Sequence, residues 1–158
     1  MTLKLITFDL GANFALAHNG HEDVIVVEHQ VFTGPRAHRA KATMNYLNAR
    51  LEECDDAGIT FDAAVYERPF VRGRDATRCL WGIAGIIEAV CTDWGMAVVD
   101  AENKQVKKWA KGHGGVKDGM LEAARALGYI GDNEHEADTF CLLKYSEQFV
   151  TSAPRKIK

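Results

Sequence analysis

The sequence predicts an α/β fold in which a mixed five-stranded sheet is flanked by helices. Three observations predict it. Apolar, strand-like runs cluster at the start of the chain, over residues 3–9, 14–18 and 24–31, with turn residues between them. After residue 31 helical spacing alternates with two further short apolar runs. The chain is 158 residues long, 47% apolar and 26% charged, values that suit one globular domain with a real core.

The elements follow in order. Residues 3–9 are the first strand, Gly11-Ala12-Asn13 a tight turn and residues 14–18 the second strand. Asn19-Gly20 is a second turn signal before a third strand over 24–31, so the three strands form an antiparallel meander. Ala40, Met44, Leu47 and Leu51 give helical spacing over 37–53, with Gly58 beyond the end. Residues 62–67 are a short strand too apolar for an edge. Residues 75–93 form a helix whose later half is apolar nearly all round, from Trp81 through Ile83, Ile86 and Ile87 to Val90. Such a helix is buried in a core or at a subunit interface. Gly82 and Gly85 would let a neighbour approach closely. Residues 96–99 are a fifth strand. Helices are expected over 103–110 and 116–127, separated by Gly112-His113-Gly114-Gly115, and a last helix, capped by Asp132 or Asn133, runs to about residue 149. Residues 1–150 make one domain and 151–158 a flexible basic tail.

The net charge of −3 gives no global pull toward nucleic acid, although local patches decide binding. Cys54, Cys79, Cys91 and Cys141 form no CxxC pair, which argues for reduced thiols and against zinc. The N-terminus has no signal-peptide pattern, and no apolar run is long enough to span a bilayer. A cytoplasmic protein without membrane association is expected.

Three acidic positions carry the chemistry. Asp9 ends the first strand, Glu67 ends the fourth, and His135-Glu136-Ala137-Asp138 opens the last helix. Charge at the end of a buried strand needs a partner. Converging carboxylates commonly find it in a metal ion. His135 and Asp138, three apart on a helix, share a face and can meet the strand ends. Taken singly, each has a plainer reading: Asp9 as a turn residue, Glu67 as a surface charge, and Glu134, His135, Glu136 and Asp138 as the acidic first turn of a helix. Together they suit phosphodiester hydrolysis by two divalent ions roughly 3.5–4 Å apart.

Basic residues accompany them. Lys104, Lys107, Lys108, Lys111 and Lys117 flank the glycine-rich segment, a composition suited to phosphate contact. A solvated helix face explains Lys104 and Lys111 equally well. Arg68, Arg72, Arg74 and Arg78 surround Phe70 after Glu67. A third basic cluster, Pro35 to Lys41, fits a DNA arm or a solvated surface.

The ordered set resembles the RuvC-type Holliday junction resolvases of the RNase H-like nuclease superfamily, from residue 3 to about 146. It comprises the D-x-G strand, the late-strand glutamate, the basic glycine loop and the H-x-x-D helix. The resemblance implies an RNase H-like fold with Mg²⁺ or Mn²⁺, two per site, held by Asp9, Glu67, His135 and Asp138. It implies Lys107 and Lys117 near the scissile phosphate and Phe70 stacked on an unpaired base. Arg72, Arg74, Lys104, Lys108 and Lys111 would serve DNA binding. Glu134 and Glu136 remain local competitors for the ligand positions. The implied activity is that of a homodimeric endonuclease making paired nicks in four-way DNA junctions. A less selective branched or flap nuclease and a non-cleaving junction binder are the alternatives. A ribonuclease H fits the late helix and lysine loop less well, and an actin-like kinase would need a longer chain. The short length suggests a phage or prophage version.

Overall fold

Asp9 and Glu67 stand side by side because their strands run parallel in the middle of the sheet. In the computed structural model, which describes residues 2–70, 73–113 and 120–150, the sheet contains β1 (Leu5–Asp9), β2 (Asn13–His21), β3 (Val24–Val31), β4 (Ala63–Glu67) and β5 (Ala97–Ala101), in the order β3-β2-β1-β4-β5. β1 pairs antiparallel with β2 and parallel with β4, and β4 pairs parallel with β5. β1 and β4 are buried on both faces except at the last residue of each, which is why both read as unbroken apolar runs. The expected five-stranded mixed sheet, a meander followed by parallel strands, is what the chain forms.

Helices cover both faces. α1 (Arg36–Asp56) and α2 (Arg74–Asp93) pack on the side lined by Ile6, Phe8, Phe14, Leu16, Ala64 and Tyr66. α3 (Asn103–Lys111), α4 (Leu121–Ala126) and α5 (Glu134–Phe149) cover the side of Val65 and Ala101. α5 crosses the sheet with Ala137, Phe140, Cys141, Leu142 and Leu143 buried against it. The fixed point of that crossing is polar. The Thr7 side chain is fully buried, and its hydroxyl lies 3.0 Å from both the carbonyl and the hydroxyl of Thr139.

Several sequence expectations shift. Asn19-Gly20 is not a turn: β2 continues through it to His21, and the chain reverses at Glu22-Asp23, with Asp23 at φ 61°. Asn19 serves instead as a strand clasp, accepting from the Leu5 amide at 2.7 Å and donating to the Leu3 carbonyl at 3.1 Å. Gly20 is required where it is because a Cβ there would meet Ile59 Cγ2 at 2.4 Å. α1 starts one residue earlier and ends three later than expected, and its buried stripe is Thr43, Leu47 and Leu51. Met44 faces out; Thr43 takes the inner position because its hydroxyl bonds the Arg39 carbonyl at 2.8 Å. β5 lies one to two residues later than expected, because Met96 falls before the strand as part of the core. The described part of the helix expected over 116–127 is α4. Residues 114–119 and the expected basic tail lie outside the described residues.

α2 resolves the question of its apolar surface mainly in favour of the core. Ile83, Ala84, Ile87, Val90 and Cys91 are buried within one chain, and Ile86 packs at the edge of that cluster. Trp81 remains 45% exposed, with Gly82 and Gly85 exposed beside it.

The Thr7–Thr139 contact makes a direct prediction. Thr7→Val should destabilise the protein by about 1–3 kcal/mol, because it leaves buried acceptors without their donor. In urea denaturation, Thr139→Val added to Thr7→Val should cost less than the sum of the single changes. Strict additivity would show that the hydroxyls do not act as a pair.

Candidate metal centre and nucleic-acid interface

Phe8 pairs with Tyr66, so Asp9 and Glu67, one residue further along parallel strands, end on the same face of the sheet. That face is the one α5 covers. Asn133 caps α5, its side chain accepting from the His135 and Glu136 amides at 2.9 and 3.0 Å. The helix therefore starts over the strand ends and presents His135 and Asp138 one turn apart. All four side chains line one cleft of about 430 Å³, together with Lys107, Asn103 and Phe70.

The contacts inside the cleft are specific. Asp9 Oδ2 lies 2.9 Å from Nδ1 of His135. The Asn103 amide donates to Glu67. Asn103 is the first residue of α3, and Lys107 follows it one turn later on the same face. Val106 and Ala110 bury the opposite side of α3, leaving Lys104, Lys107, Lys108 and Lys111 as an exposed stripe that reaches the cleft at Lys107.

Crowded acids shift one another. Asp138 is pushed up to about 7 by burial first, then by the charges of Asp9 and Glu67, against the opposing pull of His135 and Lys107. Glu67 is raised chiefly by burial, while the Asn103 hydrogen bond and Lys107 work the other way. His135 is raised because its ring bonds Asp9. Among the described residues, three carboxylates and an imidazole converge here with one cleft-lining lysine, Lys107, which only partly compensates them. As arranged, no three His, Cys, Asp or Glu side chains among the described residues form a ready ligand set, since Asp9 turns to His135 and Glu67 to Asn103. The donor chemistry nevertheless fits a divalent cation. Hard oxygen donors in negative excess, from three separate elements, match Mg²⁺ or Mn²⁺, and a cation would lower the same carboxylates that the fold now raises.

The other sequence-derived positions divide. Phe70 stands at the cleft rim, 49% exposed. Arg74 opens α2 and is exposed, but is not part of the cleft wall. Lys104, Lys108 and Lys111 are exposed along α3. Arg72 and Lys117 lie outside the described residues. Glu136 is drawn off by the Tyr129 hydroxyl at 2.7 Å, and Glu134 is exposed; neither lines the cleft. Arg68 forms ion pairs with Asp100 and Glu102.

Sequence reasoning did not find Asn103, and it left Arg39 in a generic basic cluster. Arg39 lines the cleft, and its Nε is buried without a hydrogen-bond partner among the described residues. It also did not find His29 on β3, whose ring lies flat against His135 and whose Nε2 is likewise buried without a partner among the described residues. A buried, unpaired N–H costs about 1–3 kcal/mol. No spacing in the chain marks these three; they reach the site through sheet order and helix docking.

No family model matches this chain, and no curated protein matches it in sequence. Solved structures do. RuvC from T. thermophilus, in complex with its Holliday junction substrate, superposes with a TM-score of 0.69 at 15% identity, over 96% of this chain and 99% of that one. A second Thermus thermophilus RuvC structure gives 0.63 at 17% identity, over 98% and 99%. The yeast mitochondrial Holliday junction resolvase Ydc2 gives 0.55 at 12% identity, over 94% and 85%. The chain thus has the RNase H-like fold seen in RuvC, and the structural likeness spans nearly its full length. None of these likenesses bears on a phage origin.

Burial of Asp138, reinforced by the neighbouring carboxylates, and the His135–Asp9 bond set how stability depends on pH. Asp138 holds its proton in the fold up to about pH 7, against an ordinary value of 3.8. Between those values the native state binds the extra proton, so stability falls as pH rises. His135, raised above 6.5, contributes stability that is full below pH 6.5 and lost above it, in the same sense. With EDTA present, the protein should therefore melt higher at pH 5 than at pH 8. Asp138→Asn should raise the pH 8 melting temperature by several degrees, at about 2–4 °C per kcal/mol. A lower melting temperature for that variant at pH 8 would contradict the electrostatic account.

Proposed function

We propose that this chain is a divalent-metal-dependent endonuclease of the RuvC type that resolves four-way DNA junctions as a homodimer. The observation that carries the reading is the meeting of Asp9, Glu67, His135 and Asp138 in one cleft, on a fold shared with RuvC along nearly the whole chain. Mg²⁺ or Mn²⁺, two per site, supplies when bound an activated water for in-line attack at phosphorus and neutralises the leaving oxygen, giving a 5′-phosphate and a 3′-hydroxyl. Asp9, Glu67, His135 and Asp138 would hold it.

The chain's own groups do the rest. Asn103 orients the Glu67 carboxylate. The Lys107 ammonium, already acting on both Glu67 and Asp138, supplies positive charge where the scissile phosphate would sit. Lys117 is proposed for the same task. Lys104, Lys108 and Lys111 extend the cationic track along α3 for the sugar-phosphate backbone, and Arg39, Arg72 and Arg74 are proposed to add phosphate contacts. Phe70 at the rim offers a face on which an unpaired base can stack, a contact worth roughly 1–3 kcal/mol.

A two-fold dimer gives two clefts related by symmetry, as paired nicks across a junction require. The face proposed for it is the outer side of α2, where Trp81 is exposed and a Cβ at Gly82 or Gly85 would meet nothing within 4 Å. Among the described residues no helix is long and apolar enough to cross a membrane. The proposed setting is the cytoplasm, where branched DNA is the substrate.

A nicking assay on a four-way junction tests the activity. Cutting should require Mg²⁺ or Mn²⁺ and stop with EDTA. Asp9→Asn, Glu67→Gln and Asp138→Asn should each abolish cutting while junction binding persists. Lys107→Ala should lower turnover by about 10²–10³-fold, with a much smaller change in affinity. Near-normal turnover in any two carboxylate variants would overturn the assignment. Equal cutting of flaps and junctions would leave a less selective nuclease.

Light scattering at micromolar concentration should give twice the monomer mass. Gly85→Glu should give the monomer mass and remain folded, because its side chain has open space in the single chain. A monomer mass for the unaltered protein would remove the geometric basis for paired cutting.

A further inference from the structure

His29 sits on β3, two strands away from Asp9, and touches the candidate metal centre in two ways. Its ring stacks on that of His135, with centroids 5.5 Å apart and planes within 5°. Its Nδ1 lies 3.2 Å from Nδ2 of Asn133, the residue that caps α5. The cap fixes the direction of that bond. Asn133 Oδ1 is already taken by the His135 and Glu136 amides, so Nδ2 donates and His29 Nδ1 accepts. The proton of the neutral ring then sits on Nε2, the buried atom without a partner among the described residues.

An aliphatic or phenyl side chain would fill this place without the buried, unpaired Nε2, at the loss of the bond from Asn133. Room for the ring comes from β2, where His29 pairs across the ladder with buried Ala15. Both contacts of His29 end at His135, one on its ring and one on its backbone through the cap. The His135 side chain is 41% exposed, and among the described residues its ring also bonds Asp9, itself a proposed ligand. The hold that Asp9 has on the ring therefore depends on where the ion draws the carboxylate; the hold that His29 has does not.

We propose that His29 is a positioning residue: its flat contact with the His135 ring, together with its bond to Asn133, sets the plane in which His135 presents its imidazole to a divalent ion. The proposal rests on the reading of the cleft as a metal centre. It assigns His29 no contact with DNA or metal.

The test uses the full chain and Mn²⁺ as the probe, with affinity read by electron paramagnetic resonance and the His135 ring resonances read by NMR without metal. His29→Ala should bind Mn²⁺ about 10–100-fold more weakly and should shift or broaden the His135 ring signals. His29→Phe keeps the flat face and should recover most of the affinity. His29→Gln keeps a group able to bond Asn133 but not the flat face, and should recover little. Melting temperatures of all three variants check folding, and the Phe variant keeps the test decisive if the Ala variant melts early. Wild-type Mn²⁺ affinity in His29→Ala with unmoved His135 signals would overturn the proposal, as would recovery by Gln but not by Phe. Asp138→Asn is the control for the underlying reading. If it loses Mn²⁺ while His29→Ala does not, only the positioning role fails; if it binds Mn²⁺ like the unaltered protein, the metal centre fails and the positioning role with it.

Discussion

Thr7 and Thr139 meet through their hydroxyls in the middle of the molecule, and the geometry of the acidic cleft follows from that contact. Thr7 is two residues before Asp9 on the same face of β1, and Thr139 follows Asp138 directly on α5. Pinning those two positions fixes where the first turns of α5 lie over the strand ends. The buried contacts of Ala137, Phe140, Leu142 and Leu143 on α5 are apolar and non-directional, so they set how closely the helix packs but contribute little to its register along the sheet. A hydrogen bond between fully buried groups is directional and costly to break, so it sets the register. A helix displaced by one residue would carry His135 and Asp138 away from Asp9 and Glu67.

Having brought the acids together, the fold does not neutralise them. Asp138 and Glu67 are both raised, first by burial and then by neighbouring carboxylates. Asn103, Lys107 and the His135 ring each offset part of that repulsion. A structural site would be expected to complete the compensation with further cations; this one leaves it incomplete and open to a cleft. The same cleft carries Arg39, a cation with a buried and unpaired Nε, on another part of its wall. A bound divalent ion beside the acids and phosphate oxygens beside Arg39 would satisfy both kinds of group, which ties the electrostatics to the proposed chemistry.

The sequence made much of the frame readable. β1 and β4 are unbroken apolar runs that end in acid, and the positions of Asp9 and Glu67 followed from that pattern. The i, i+3 spacing of His135 and Asp138 placed them on one helix face, and the cap was narrowed to Asp132 or Asn133, of which Asn133 serves. What the chain did not reveal depends on contacts between distant segments. Asn19-Gly20 has the composition of a turn, yet Asn19 is held inside the sheet by Leu3 and Leu5, and Gly20 by the nearness of Ile59. α2 looked apolar all round because sequence cannot divide Ile83, Ile87 and Val90, which enter the core, from Trp81, which does not. His29, Asn103 and Arg39 carry no local motif. Asn103 and Arg39 lie near the starts of helices and His29 on a strand two places from β1, and only the assembled sheet brings the first two to the cleft and the third against His135.

The most direct measurement of the central claim is anomalous diffraction from crystals soaked in Mn²⁺. The account predicts manganese peaks in the cleft among Asp9, Glu67, His135 and Asp138, with Asp9 and His135 no longer bonded only to each other. Manganese bound elsewhere with this cluster empty, at concentrations that support cutting, would contradict it.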